Sequence, residues 1–181
     1  MSWEKLFDVF PYGQGERLVL KRVTAEETNA LRELVSDPEV YRYLPTFLFE
    51  RRYPDMHKVI DGLYDECLQE SLILGVCQDT DLCGLIELYD FHDDLHKVSI
   101  GYRLRRKYWG KGIATEAVGM MMRCLYTETD IKVVTASTMR GNQTSAQVLL
   151  KNGFELVVHG AAEDWGYPVL TLADKWKRHL L

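Results

Sequence analysis

The sequence predicts an α/β fold of the α+β type, built on a mostly antiparallel sheet. Between residues 71 and 104, three strand-like runs are joined by polar links that are too short for parallel crossovers, which indicates an antiparallel meander. A strand at 97–104, an amphipathic stretch at 113–125 and an apolar run at 131–137 then follow one another. This order is typical of a βαβ unit, and the run at 131–137 predicts a fully buried strand.

The first predicted elements are a strand and two helices. Residues 17–23 are rich in β-formers, and the sequence TAEE at 24–27 fits a capping box at a helix start. That helix should end near Asp37-Pro38 because a proline disfavours helical backbone at the residue before it. A short turn through Val40 to Leu44 then leads to a long amphipathic helix at 56–68.

The remaining elements complete a sheet of about seven strands. The predicted strands of the meander are 71–77, 82–91 and 97–104. Residues 142–152 predict a short helix closed by Gly153, a residue that accepts the left-handed C-terminal conformation. Strands at 154–158 and 169–172 follow. No repeat, linker or low-complexity tract interrupts the chain, so we expect residues 1–181 to form a single domain.

The composition argues against several functional classes. The chain has 181 residues, 46% hydrophobic and 27% charged, and 22 Lys plus Arg against 27 Asp plus Glu give a net charge of −5. No overall basic field is present to bind nucleic acid or an anionic membrane. The opening MSWEKLFDVF lacks the basic region of a signal peptide, and no segment approaches the roughly 20 apolar residues that span a bilayer. We therefore expect a cytoplasmic protein with no nucleic-acid or membrane partner.

The cysteines and histidines do not form a metal-binding pattern. The four cysteines contain no C-x-x-C pair, and the histidines show no i, i+4 pair on a predicted helix. Reduced, mostly buried thiols and no metal site are the expectation.

The segment KYWGKGIAT at residues 107–115 predicts a pyrophosphate cradle. A pyrophosphate needs several N–H donors without side chains in the way, and a helix N-terminus offers unpaired N–H groups and about half a positive charge. Gly110 and Gly112 open such a helix. The surrounding basic residues, which also favour a bound anion, are Arg103, Arg105, Arg106, Lys107 and Lys111. The alternative is a solvated surface loop.

Two other phosphate motifs fit less well. A Walker A loop is excluded because G-x-x-x-x-G-K-[ST] is absent, and the dinucleotide fingerprint G-x-G-x-x-G fails at Thr115. Asp130, about 20 residues further on, keeps an NAD(P)-dependent oxidoreductase open as an alternative.

The glycine segment and its flanks resemble those of a known family. Lys107-x-x-Gly110-x-Gly112 resembles the R/Q-x-x-G-x-G/A signature of the GNAT superfamily of acyl-CoA transferases, with Lys107 in place of the usual Arg or Gln. Residues 101–117 and the later segment 142–154 resemble the Rim-type (RimJ/RimL-like) branch, and the likeness spans roughly residues 12–173. The resemblance implies a twisted sheet with helices on both faces and a splay beside the strand that precedes the glycines.

The resemblance also implies acetyl-CoA as co-substrate and a set of binding residues. Backbone groups of Tyr102 and Leu104 would bind the pantetheine arm as an added strand does. Asn142 would bond the pantetheine amide or the loop facing it. The phosphate cradle, with Lys107 before it, would be formed by the N–H groups of Trp109, Gly110, Lys111, Gly112, Ile113, Ala114 and Thr115.

The implied reaction is direct attack of a primary amine, on a protein N-terminus or a small molecule, on the thioester. Because such an amine is mostly protonated at neutral pH, a base or water chain must take its proton. Glu87 shares a strand face with Leu85 and Tyr89, where an apolar setting would favour the protonated carboxyl, and is the candidate base. The alternative is an edge carboxylate hydrogen-bonded to a neighbour.

The candidate acid is Ser145, which matches the Rim-type serine. Many GNAT relatives place a tyrosine seven residues after the asparagine, where this chain has Leu149, so that role is not carried over. Ser145 could equally cap a helix or bond the sulfur region. A non-catalytic acyl-CoA-binding module is therefore a second hypothesis.

The acceptor is left open by the sequence. Trp109, Trp165 and Tyr167 could wall its pocket, although large aromatic residues belong to the core by default. The loop at 160–168 is the candidate for acceptor selectivity because loops over a rigid sheet usually select the ligand. The acyl length of the donor and the choice between a monomer and a homodimer also stay open.

Overall fold

All described strands lie in one sheet of eight strands, ordered β1-β2-β3-β4-β5-β6-β8-β7. The computed structural model describes Leu6 and residues 12–181, so most of MSWEKLFDVF, which bears on the signal-peptide expectation, lies outside the described residues. The strands are β1 Tyr12–Gln14, β2 Val19–Lys21, β3 Ser71–Gln78, β4 Asp81–His92, β5 Lys97–Leu104, β6 Val133–Met139, β7 Glu155–Glu163 and β8 Thr171–His179. Only β5 and β6 pair in parallel. The predicted α+β class is confirmed, with one strand more than expected.

Helices cover both faces of the sheet, as the resemblance implied. The α-helices of the described residues are α1 Thr28–Ser36, α2 Pro38–Tyr41, α3 Met56–Asp65, α4 Ile113–Glu128 and α5 Gln143–Lys151. On one face, α1 to α3 bury Leu31 and Leu63 against β3 and β4. On the other face, α4 and α5 bury Met121 and Leu149 against the central strands. Each of these leucine or methionine side chains contributes about 1.5–3 kcal/mol by leaving water.

The start of the first helical segment follows the predicted capping box. The Thr24 hydroxyl accepts the N–H of Glu26, and the Glu27 carboxylate accepts the N–H of Thr24. The segment opens with a 3-10 turn, Ala25–Glu27, before α1 begins. The expected turn at Val40 is instead the single-turn helix α2, because Asp37 caps it and Pro38 occupies its first turn, where no N–H is needed.

Two strand predictions need correction. Burial alternates along β6, with Val134, Ala136 and Thr138 buried and their neighbours partly exposed, so this strand is not fully buried. Only one of its faces packs on α4 and α5. Strands β7 and β8 are longer than predicted, since β8 continues through charged residues that hide its period from a hydrophobicity pattern.

Strands β5 and β6 diverge after three paired positions, and this divergence positions the site. Their parallel pairing runs from Lys97 opposite Val133 to Ser99 opposite Thr135. Strand β5 nevertheless stays paired with β4 up to Leu104, and β6 stays paired with β8. The predicted βαβ unit and splay are therefore present. In the part of the chain that the structure describes, no helix is long and apolar enough to cross a membrane.

Candidate active site

A cavity of about 590 Å³ fills the splay. One side is formed by β5, the glycine turn and the start of α4, and the other by β6 and α5. Its size is typical of a small-molecule site. Among the predicted site residues, those that line it are Tyr102, Leu104, Trp109, Gly110, Gly112, Ile113, Ala114, Thr115, Asn142 and Ser145. Glu87, Lys107 and Lys111 are outside its lining.

The glycine turn presents free N–H groups at the N-terminus of α4. Gly110 and Gly112 have φ of 70° and 75°, a left-handed conformation that side chains disfavour. Within the described residues, the N–H groups of 110–115 have no hydrogen-bond partner, as expected at a helix start. The N–H of Trp109 instead donates to Arg106 O at 3.1 Å. The predicted cradle therefore begins at Gly110, and Trp109 contributes its side chain to the wall.

The open edge of β5 exposes main-chain groups toward the splay. Arg105 N–H donates to Cys83 O on β4 at 2.8 Å, and successive backbone groups of a strand point to opposite sides. The main chain of Leu104 and Tyr102 therefore faces the cavity. The Trp109 indole already donates to Leu104 O at 2.9 Å, so Tyr102 offers the less engaged of the two predicted backbone positions.

The basic residues around the turn are mostly held by carboxylates of the protein. Arg106 Nη2 lies 2.5 Å from Asp37, and Lys107 Nζ lies 2.8 Å from Asp81. Arg105 pairs with Asp81 and with Glu33. Four of the five charges are therefore neutralised by carboxylates of the protein, so they do not themselves support a bound anion as expected from the sequence. Among the five, Lys111 alone has no carboxylate partner within the residues that the structure describes.

Asp81 ties the segment before the turn to the β3–β4 connection. Its carboxylate accepts from Lys107 at 2.8 Å, from Tyr108 Oη at 2.5 Å and from Arg105 at 2.6 Å. Burial alone would raise the pKa of Asp81, but the bonds from Lys107, Tyr108 and Arg105 outweigh it and hold the pKa well below its usual range. The Lys107 side chain is thereby directed away from the cavity.

Arg17, which was not among the predicted site residues, holds the turn from the other side. Its Nη1 donates to Lys111 O at 3.2 Å, and its Nε lies 2.6 Å from Glu116 in the first turn of α4. A contact between residues so far apart in the chain has no local pattern that could have revealed it.

Glu87 belongs to a buried ionic cluster rather than to an apolar stripe. Its Oε2 accepts from Arg103 Nη1 at 2.8 Å, and Arg103 also meets buried Glu50 at 2.6 Å. Tyr41 Oη donates to Glu50 at 2.9 Å. Glu87 is thus a carboxylate hydrogen-bonded to a neighbouring residue, which was the alternative to a carboxyl in an apolar setting. Glu87 lies opposite Gly101, which lines the cavity and places no side chain between them.

Asn142 and Ser145 lie at the N-terminus of α5. Asn142 Oδ1 accepts the Ser145 N–H at 3.2 Å and caps the helix, which leaves Asn142 Nδ2 for another partner. Ser145 Oγ lies 2.8 Å from Tyr102 Oη across the splay. Leu149, one turn further, lines the cavity with an apolar side chain.

The wall on the α2 side comes from residues 39–44, which were not among the predicted site residues. Tyr167 Oη donates to Leu44 O at 2.8 Å, and Thr46 N–H donates to Trp165 O at 2.9 Å. Trp165 itself is buried, and neither Trp165 nor Tyr167 lines the cavity. The 160–168 region therefore acts on the wall indirectly, by holding residues 44–46.

The dinucleotide alternative conflicts with the position of Asp130. This residue follows the C-terminal end of α4, whose 16 residues separate it from the glycine turn by about 24 Å. His96 Nδ1 lies 3.4 Å from Asp130 Oδ2. Within the described residues, no group of three or more His, Cys, Asp or Glu side chains could hold a metal ion.

Comparison with known proteins gives one family. Residues 17–155 match the family model described as an acetyltransferase (GNAT) domain. The N-acetyltransferase p20 of Bacillus licheniformis is 28% identical over 77% of this chain and 80% of its own length. A GNAT acetyltransferase structure from Bacillus anthracis superposes with a TM-score of 0.79 at 20% identity, over 93% of this chain and 98% of that chain. RimL, described as a ribosomal L7/L12 alpha-N-protein acetyltransferase in complex with coenzyme A, gives a TM-score of 0.78 at 16% identity, over 92% and 96%.

Proposed function

The chain belongs to the GNAT acetyltransferase family, and we propose that it uses the cavity between β5 and β6 to acetylate a primary amine. The protein is an acetyl-CoA-dependent N-acetyltransferase. One observation carries the assignment of the site. The open edge of β5 and the N-terminal turn of α4 meet in the same cavity, so an extended arm and a pyrophosphate can be bound together.

Acetyl-CoA supplies an activated acetyl group as a thioester. The N–H groups of 110–115 bind its phosphates, and the main chain of Tyr102 binds the pantetheine arm along the free edge of β5. Asn142 Nδ2 donates to the same arm, because its Oδ1 is occupied by the helix cap. Lys111, which has no internal carboxylate partner among the described residues, adds a positive charge at the turn.

Glu87 accepts the proton of the amine, and Ser145 stabilises the leaving sulfur. Because Glu87 lies behind Gly101 rather than in the cavity lining, it acts through a water molecule. The amine nitrogen then bonds to the thioester carbon as the carbon–sulfur bond breaks. Ser145 Oγ–H donates to the sulfur, which takes the electron pair. Arg103 holds one oxygen of Glu87 and leaves the other available.

The acceptor is the α-amine of a protein N-terminus or the amine of a small molecule, and we assign the chain to the Rim-type branch. Support comes from RimL, whose description names an alpha-N-protein activity. Residues 39–44 form the wall that selects this acceptor. A single domain over residues 1–181, a cytoplasmic location and a monomeric or homodimeric state stay predictions.

A thermal-shift assay with each nucleotide and a thiol-release assay test this proposal. Acetyl-CoA should raise the melting temperature, whereas NAD and NADP should not. Thiol release should then require an amine, tested with peptides that have free or blocked N-termini and with polyamines. Stabilisation by acetyl-CoA without thiol release from any amine would favour the binding module. No stabilisation by acetyl-CoA would refute the proposed site.

A further inference from the structure

The Tyr102 side chain spans the splay, and among the described residues its hydroxyl hydrogen-bonds only to Ser145. Its hydroxyl lies 2.8 Å from Ser145 Oγ and 3.1 Å from Ser145 O, and either oxygen can accept its one hydrogen. The two residues are on opposite sides of the cavity, Tyr102 on β5 and Ser145 on α5. The proposed binding of the pantetheine arm involves only the backbone of Tyr102. Its side chain therefore has a position that the proposed binding role does not explain.

The number of available protons makes this contact directional. Each hydroxyl has a single hydrogen to donate. If the phenol donates to Ser145 O, the serine hydrogen points back at Tyr102 Oη. If the phenol donates to Ser145 Oγ, the serine hydrogen is free to point into the cavity. Tyr102 thus controls where the serine hydrogen is aimed.

The phenol keeps its own proton throughout. Burial raises the pKa of Tyr102 well above its usual range. A thiol has a pKa of about 8.5 and is the stronger acid, so net transfer of a proton from the phenol to the departing sulfur is uphill. The phenol can therefore act as a hydrogen-bond donor but not as the proton source.

We propose that Tyr102 is a positioning residue, which turns the Ser145 proton toward the sulfur of the leaving group. As the carbon–sulfur bond breaks, the electron pair goes to sulfur, Ser145 Oγ–H donates to it, and Tyr102 Oη–H donates to Ser145 Oγ. Both hydroxyls keep their protons, and the thiolate takes its proton from water. This inference rests on the proposed function, in which Ser145 faces the sulfur.

Substitution Tyr102→Phe removes the hydroxyl and keeps the ring. The Ser145 hydroxyl then loses the partner that orients its hydrogen. We expect kcat with acetyl-CoA to fall about tenfold while KM for acetyl-CoA stays within about twofold. With an acetyl-CoA analogue fluorinated in the cysteamine part of its arm, which makes the departing thiol more acidic, the loss should shrink to about twofold because the sulfur needs less stabilisation.

Ser145→Ala should show the same dependence on the leaving group, and the double variant should be no slower than the slower single variant, since the two hydroxyls act as a unit. Tyr64→Phe is the matched control. Tyr64 Oη is also largely buried and makes two backbone contacts, at 2.7 Å with Val23 N and 3.1 Å with Ile73 O, but it is outside the cavity. It should lower stability without changing the donor preference.

Equal losses with both donors, or multiplicative effects in the double variant, would overturn the role of Tyr102. If Tyr102→Phe does not fold, the donor dependence of Ser145→Ala decides, because its absence overturns the inference as well. Failure of the proposed function gives a different result, since the wild-type protein would then release no thiol with any amine.

Discussion

The hydroxyl oxygens of Ser99 and Thr135 lie 2.8 Å apart at the last paired position between β5 and β6. Ser99 is buried and also donates to Asp90 at 3.3 Å. Beyond this pair, β5 follows β4 and β6 follows β8. The contact joins the two strands at the point where they separate, so it defines where the cavity begins.

Replacing Thr135 with valine should therefore weaken the base of the splay. The side chain keeps its shape but loses the hydroxyl that Ser99 contacts, and we expect the free energy of unfolding to fall by about 1 kcal/mol. Urea denaturation measures this loss. Thr80→Val, at an exposed turn, is the control and should change stability by less than about 0.5 kcal/mol. Equal stability of the Thr135 variant and the wild type would contradict this role.

Local patterns predicted the elements that carry the donor site. The helix start opened by Gly110 and Gly112 and the helix start at Asn142 each depend on residues within a few positions of one another. Such signals are readable because the atoms that interact are close in the chain. The family resemblance then supplied the position of the splay.

Long-range pairing explains what the sequence could not predict. Arg103 meets Glu50, 53 residues away, and Arg105 meets Asp81, 24 residues away. Counting basic residues near the glycine turn could not reveal that carboxylates from other elements neutralise them. For the same reason Glu87 was expected on an apolar stripe, since the side chain opposite Leu85 on β5 was not known to be Arg103.

Gly112→Ala should weaken acetyl-CoA binding. Gly112 has φ 75°, and a left-handed conformation costs a residue with a side chain about 1–2 kcal/mol. A turn that relaxes to avoid this cost misaligns the N–H groups, so we expect KM for acetyl-CoA to rise about tenfold. Gly153→Ala is the matched control, since Gly153 has φ 73° outside the cavity. It should lower stability by a similar amount and leave KM unchanged; a similar KM in all three proteins would argue against the cradle.

Asp81→Asn should alter the pH dependence of stability. The folded-state pKa of Asp81 is lowered, so its contribution is fully present above the unfolded pKa of about 3.9 and is lost as pH falls through the folded value. The variant should be less stable than wild type at pH 7 and pH 5, and the difference should shrink below about pH 4. Urea midpoints across this range measure it. Asp79→Asn, at the same turn but without an ion pair among the described residues, should show no such difference.

Glu87→Gln should reduce kcat and leave KM for acetyl-CoA nearly unchanged. Loss of a general base typically costs about 10²–10⁴-fold in rate. The loss should shrink as pH approaches the pKa of the amine, because a neutral amine needs no base. The rate of the variant should therefore recover at a lower pH with a peptide α-amine, whose pKa is about 8, than with an alkyl amine, whose pKa is about 10. Rate profiles against pH with both amines measure this. A rate loss that is the same at every pH would contradict the role of Glu87 as the base. Its role would then be structural, through its hydrogen bond with Arg103.

Tyr167→Phe should change recognition of the acceptor but not of the donor. Tyr167 Oη donates to Leu44 O at 2.8 Å and so holds one end of the wall formed by residues 39–44. A single hydrogen bond of this kind contributes about 0.5–1.5 kcal/mol, so KM for the amine should rise about two- to tenfold. Tyr126→Phe is the control, because Tyr126 is an exposed tyrosine on α4, far along the helix from the glycine turn. If both variants keep the wild-type KM for the amine while the donor KM is also unchanged, the wall is held without Tyr167, and selectivity must be sought in residues 39–44 themselves.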